Sequence, residues 1–197
     1  MTPGANIPHI GLVVEGKGEV TAIPLLLRNW LHQQGEFRDL LGKPFSLDGK
    51  GNATCQHGIE GAVVAVANRP GCKGVLVELD ADRDLACQLG PDLQKRAATV
   101  CRRVPVAVCV AEVKYESWLV ASAESMELES LDFEPDRNPE ALIKEALRPI
   151  RYIKTTWQAR LTGRMNLELA RSRSPSLTRL LDACMGYASA IPPGAEP

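Results

Sequence analysis

Three carboxylates stand where two apolar runs end. Glu15 follows Val13-Val14, and Asp80 and Asp82 follow Leu79. Asp80 and Asp82 are two residues apart, a spacing that in extended backbone points both side chains the same way. Carboxylates crowded together repel one another unless a cation joins them or their pKa values rise. Hard divalent cations take oxygen ligands, often one or two carboxylates completed by water and phosphate. The arrangement therefore favours either a site for a divalent cation such as Mg2+ or raised pKa values. Asp80 and Asp82 would hold the metal, and Glu15 would ligate it or activate water as a general base. Glu19 would support them from the start of the next helix. Glu112 and Glu116 are candidates for a second metal position, since two-metal sites stabilise both the attacking and the leaving oxygen.

Each of these residues also has a plainer reading. A single acid at a strand end is usually exposed or caps a helix. Glu116 could order a helix start while Trp118 anchors that helix in the core. Lys17, Lys154, Arg171 and Arg173 are candidates to grip the phosphates of a nucleic acid, against ordinary surface charge. Gly16 and Gly18 flank Lys17 as in a phosphate-cradling turn, but no G-x-x-x-x-G-K-[ST] pattern is present.

The elements that must carry these groups follow from periodicity. Residues 9–14, 74–79 and 105–111 read as strands, and 21–34, 58–68 and 91–103 as helices. Thr21 is the expected cap of the first helix, with Pro24 in its first turn. Residues 46–58 read as a glycine-rich polar loop. Near-continuous Val, Ile and Leu in the strands imply a mostly parallel sheet covered on both faces. Ligands of such sheets bind beyond the carboxyl ends of the strands, where both acidic groups fall. The fold expected is α/β, a Rossmann-like core over residues 8–112 with a helical C-terminal portion over 113–190. In that portion 115–128, 139–148 and 176–186 read as helices, 129–138 as a polar linker and 191–197 as a loose tail.

Composition sets the outer bounds. The 197 residues are 45% hydrophobic and 24% charged, the make-up of a globular chain with a real core. No run of about 18 apolar residues suggests a membrane span. The start reads as no secretory signal, and the expected location is cytoplasmic. Six cysteines without a Cys-x-x-Cys pair read as free thiols, and Cys55 with His57 lacks a second pair for zinc. Net charge is −1, yet residues 148–179 hold eight Lys or Arg against Glu168 alone. That stretch is either a basic face for a nucleic acid or a solvated helix surface.

The pairing of Val13-Val14-Glu15-Gly16-Lys17-Gly18-Glu19 with Leu79-Asp80-Ala81-Asp82 resembles the Toprim signature. A wider resemblance is to a Toprim-like group, domain-of-unknown-function family 4276. It adds Glu116-Ser117-Trp118-Leu119, Lys154, Gln158 and Arg173-Ser174-Pro175-Ser176. It implies a Toprim-like fold related to the nuclease domains of OLD-type proteins, with magnesium or manganese. It also implies an ATPase partner, in bacterial defence against phage or in toxin-like systems. The substrate would be DNA or RNA, and the chain's oligomeric state is open.

Rival readings remain. The chain could be a catalytically silent subunit docked on an ATPase. A flavodoxin- or Rossmann-type small-molecule protein is disfavoured by the missing G-x-G-x-x-G and by acids that would repel phosphate without metal. A Toprim primase or topoisomerase would need a zinc ribbon or a tyrosine-bearing domain. A serine triad is not legible, because Ser174 and Ser176 are far in sequence from His9, His32 and His57.

Overall fold

The computed structural model describes residues 7–128, 131–134 and 137–193. Four strands, β1 (His9–Val14), β2 (Phe45–Ser46), β3 (Cys72–Asp80) and β4 (Val106–Ala111), run parallel in the order β2-β1-β3-β4. β1 and β3 are paired through Val14 and Glu78, and β3 and β4 through Asp80 and Ala111. The strands thus end together, and their carboxyl ends form one rim.

Both faces of the sheet are covered, as the unbroken apolar strands require. Ile10, Leu12 and Val14 of β1 and Leu76 of β3 join one core cluster. They meet Ile23 and Leu27 of α1 (Glu19–Gln33) and Leu177 and Leu181 of α9 (Pro175–Ala190), with residues of the other C-terminal helices beyond them. Val13, Val75, Val77 and Leu79 join the opposite cluster with Ile59 and Val63 of α3 (Gly58–Ala67) and Leu93 of α4 (Ala86–Val100). Each fully buried Leu, Ile or Val contributes roughly 1.5–3 kcal/mol relative to exposure. The C-terminal helices therefore complete the sheet's core. α9 can lie on β3 because residue 74 is glycine, since a Cβ there would come within 2.7 Å of the Tyr187 ring.

Several local expectations need correction. α1 starts at Glu19 with Gly18 as its cap, and no side chain, Thr21 included, caps it. Pro24 consequently sits inside the helix rather than in its first turn. The glycine-rich loop contains β2 and a short helix, α2 (Lys50–Thr54). α4 begins five residues before the expected start, with Pro91 inside it. The 115–128 stretch is α5 (Glu116–Val120) followed by a 3-10 turn at Ala123–Ser125. α6 (Pro139–Ala146) and α9 fall where helices were expected.

Two helices gave no warning in sequence, α7 (Lys154–Thr162) and α8 (Leu167–Arg173). α7 has Thr155 and Thr156 in its first turn and almost no apolar stripe, so packing along α1 holds it rather than propensity. The expected linker and tail fall partly outside the described residues, at 129, 130, 135, 136 and 194–197. Within the described part, Leu131 and Ile191 are buried. Among the described residues, no helix is long and apolar enough to cross a membrane.

Candidate metal centre

The end of β3 places Glu78 and Asp80 on one face by strand alternation. That face is the one covered by α1 and α9. Glu15 closes the neighbouring strand end. Its Oε2 accepts the backbone N–H of Asp80 at 2.8 Å and so ties the ends of β1 and β3 together. Asp80 Oδ1 in turn accepts the N–H of Tyr115 at 2.6 Å, which seats α5 against β3.

Two helices complete the cluster. Glu19 enters from the first residue of α1 and Glu116 from the first residue of α5. Both are buried and share one donor. Gln158 Nε2 donates to Glu19 Oε1 at 2.7 Å and to Glu116 Oε1 at 3.1 Å. The Tyr152 hydroxyl also donates to Glu116 Oε1, at 2.5 Å. Lys154, one turn before Gln158 on α7, brings a single ammonium. Its Nζ lies 3.7 Å from Asp80 Oδ2, 3.7 Å from Glu116 Oε2 and 4.0 Å from Glu19 Oε1.

Gly18 makes this meeting possible. A Cβ at Gly18 would overlap the Gln158 amide and come within 3.3 Å of Lys154 Cβ. The Gly-Lys-Gly turn thus acts as the seat on which α7 docks. Lys17 stays exposed at the mouth of an open cleft of about 450 Å³ lined by Glu15, Glu19, Asp48, Lys154 and Thr155.

The electrostatics are those of excess anion. Burial, and then repulsion from Glu15, pushes Asp80 up to about 8. Burial raises Glu15, and the same cause, followed by repulsion from Asp80, raises Glu78 well above the carboxylate range. Burial opposes the charge on Lys154, but Glu116, Asp80 and Glu19 together hold its ammonium above the ordinary lysine range. Among the described residues, Glu116 Oε2 and both oxygens of Glu78 have no hydrogen-bond partner. Unsatisfied buried carboxylates are costly and call for a cation or a proton.

Asp82 departs from the expected arrangement. β3 ends at Asp80, and Asp82 takes a left-handed backbone with φ of 52°. The extended geometry that would align it with Asp80 is absent. Its N–H donates to the carbonyl of Val113 at 2.6 Å, and Val113 is itself left-handed at 66°. The Asp82 carboxylate faces Lys50 at 3.2 Å and Lys114 at 3.9 Å.

Three more expected residues lie apart from the cluster. Glu112 is exposed. Arg171 pairs with Asp182 at 2.9 Å and lies over Trp30, while Arg173 pairs with Glu124 at 2.8 Å and lies over Phe133. The Arg-Ser-Pro-Ser run is architectural, since Ser174 caps α9 and Ser176 accepts the Trp118 indole N–H at 2.9 Å. In the Glu116 segment Trp118 anchors α5 in the core, while Glu116 itself turns into the acidic cluster.

Reading the residues singly missed Glu78 and Tyr152. Glu78 carried a usable signal, a charge inside an otherwise apolar strand two residues before Asp80.

The donor set is one of hard oxygens, suited to Mg2+ or Mn2+. As the side chains stand, no three His, Cys, Asp or Glu among the described residues are grouped to hold an ion. Lys154 lies between Asp80, Glu19 and Glu116. Comparison with protein-family models, curated proteins and solved structures finds no match.

Proposed function

We propose that the chain is a Mg2+- or Mn2+-dependent nuclease that hydrolyses phosphodiesters of DNA or RNA. The observation that carries this reading is the convergence of Glu15, Glu19, Glu78, Asp80 and Glu116 on one rim with a single ammonium to answer them. Burying this much like charge is unfavourable for folding, and sites that keep it usually do so for chemistry. Asp80 and Glu116 would hold the metal, with Glu19 beside them oriented by Gln158. The metal would supply positive charge to the phosphate oxygens as charge develops in the transition state. Glu15 lines the cleft, and its burial-raised pKa suits a base. It would take the proton of the attacking water as the water oxygen bonds to phosphorus. The bond to the leaving oxygen then breaks, and that oxygen gains its proton from solvent. Lys17 and Lys154 would steer the phosphate into the cleft, and Asp82 would order Lys50 and Lys114 at its rim. The resemblance to OLD-type proteins supports an ATPase partner and a role in phage defence.

The test uses supercoiled plasmid, single-stranded DNA and total tRNA, each in Mg2+, Mn2+ and EDTA, with wild type and Asp80→Ala. Metal-dependent cleavage that vanishes in the variant is expected. Cleavage retained by folded Asp80→Ala would reject the assignment.

A second reading is a silent subunit that docks on an ATPase, with the cluster serving architecture alone. The position of Lys154 among three carboxylates favours it, because the ammonium already fills a cation's place. It predicts co-purification with the ATPase and no response of the folded chain to Mg2+ or Mn2+.

A further inference from the structure

Lys154 is the first residue of α7, and from there its side chain reaches the middle of the acidic cluster. An ammonium bonded directly to a carboxylate sits at about 2.7–2.9 Å. Lys154 Nζ stands at 3.7, 3.7 and 4.0 Å from three separate carboxylates. It serves all three and closes on none, which is how a shared cation behaves. Its single charge leaves demand unmet, since Glu116 Oε2 and both oxygens of buried Glu78 lack hydrogen-bond partners among the described residues.

The ammonium also has an exit. Lys154 and Thr155 line the open cleft of about 450 Å³ that Glu15, Lys17 and Asp48 share. The Lys154 side chain is 35% exposed, although its tip lies against carboxylates that are nearly sealed. A four-carbon stem with free rotors can swing from one position to the other while α7 stays seated.

We infer that the Lys154 ammonium and a divalent cation are alternative occupants of one position, so that loading the centre with Mg2+ or Mn2+ expels Lys154 into the cleft. This rests on the metal reading above. Two positive centres between the same three carboxylates would repel at short range, and the divalent ion answers more of the unpartnered oxygen. Lys154 then has two stations. Inside, it offsets the carboxylates and keeps the empty centre folded. Outside, it stands beside Lys17 at the mouth, where the backbone of a nucleic acid would enter. Loading would thus charge the centre and the phosphate-steering mouth in one event.

Two measurements at a single pH test this. Amine acylation of wild-type Lys154, followed by mass spectrometry with exposed Lys73 as reference, should rise several-fold when Mg2+ is added. Titration with Mn2+ followed by electron paramagnetic resonance should show Lys154→Gln binding tighter by about tenfold or more, the size of an ordinary coupling between competing ligands. Unchanged or reduced Lys154 labelling in a metal-loaded protein overturns the exchange, whatever the variant does, and leaves the nuclease reading standing. Labelling that rises without cleavage of any substrate supports the exchange and sinks the nuclease. Failure of the wild type to bind Mn2+ overturns both. Should Lys154→Gln not fold, the wild-type labelling still decides.

Discussion

Asp80 and Asp82 are two residues apart at the end of one strand, and their surroundings are opposite. Asp80 is buried among Glu15, Glu19, Glu78 and Glu116 with one ammonium nearby, and is pushed up to about 8. Asp82 sits at the half-open rim, where Lys50 bridges it to Asp84 and Lys114 bridges it to Glu140. Charges at the rim alternate and balance. Charges in the cluster share a sign. A balanced network is what stability alone produces, whereas a buried excess persists only when something else rewards it. The contrast separates acids whose charge the fold balances from acids whose charge it leaves largely unanswered.

The sharpest way to break this comparison is to remove one acid from each side. Asp80→Ala should lower metal-dependent cleavage by at least about 10²–10³-fold, the loss typical of removing a main stabiliser of transition-state charge. Asp84→Ala at the rim should stay within a few-fold. Initial rates on the same substrate settle it, and equal losses would erase the distinction.

Gly18→Ala probes how the cluster is assembled. The new methyl overlaps the Gln158 amide, which must leave its bonds to Glu19 and Glu116, and it crowds the Lys154 side chain. A loss of about 1–3 kcal/mol in denaturant unfolding is expected from overpacking, together with loss of activity. Gly51→Ala, which meets open space, should change stability by no more than about 0.5 kcal/mol.

Glu78→Met tests whether the cluster is unfavourable for folding. Both Glu78 oxygens are buried without partners among the described residues. Replacing them with an apolar chain should therefore stabilise the metal-free protein by about 1–3 kcal/mol, several degrees in Tm. A Tm that falls on this substitution would show that the carboxyl is satisfied after all.

The smallest effect belongs to the balanced side. Burial raises Glu140, but hydrogen bonds from Lys114 and Lys144 overcome this and hold it at about 2. A carboxyl depressed by folding stabilises above its unfolded value near 4.5, and the gain fades as pH falls towards 2. Glu140→Gln should cost about 1 kcal/mol at pH 7. That difference from wild type should shrink to nothing by about pH 2 in pH-dependent thermal unfolding.

The sheet and four of the five acids in its cluster were legible in the sequence. β1, β3 and β4 announced themselves through continuous apolar runs, and the rim followed from parallel strands ending together. Glu15, Asp80 and Glu19 lie where the motifs put them. Asp82 does not, because spacing of two aligns side chains only while the backbone stays extended, and here it turns left-handed after Asp80. Glu78 hid inside the run that identified β3. α7 was invisible because a helix held by tertiary packing needs no amphipathic stripe of its own. Its Lys154 drew attention as a charge that could grip phosphate, and Gln158 only through the family resemblance. Arg171 and Arg173 looked like phosphate ligands because sequence shows charge without showing its partners.

The hydrogen bond from Gln158 to Glu19 joins residues 139 apart in the chain. Contacts of such span form late, after the loop between them has closed. Synthesis runs from the N-terminus, so the acids of β1 and β3 emerge from the ribosome well before α7 does. A nascent chain can pair its strands while the acid rim is still unclamped and without its lysine. The cluster is therefore completed only with the last third of the polypeptide, so a truncated product would carry the acids of β1 and β3 without the lysine and glutamine that clamp them.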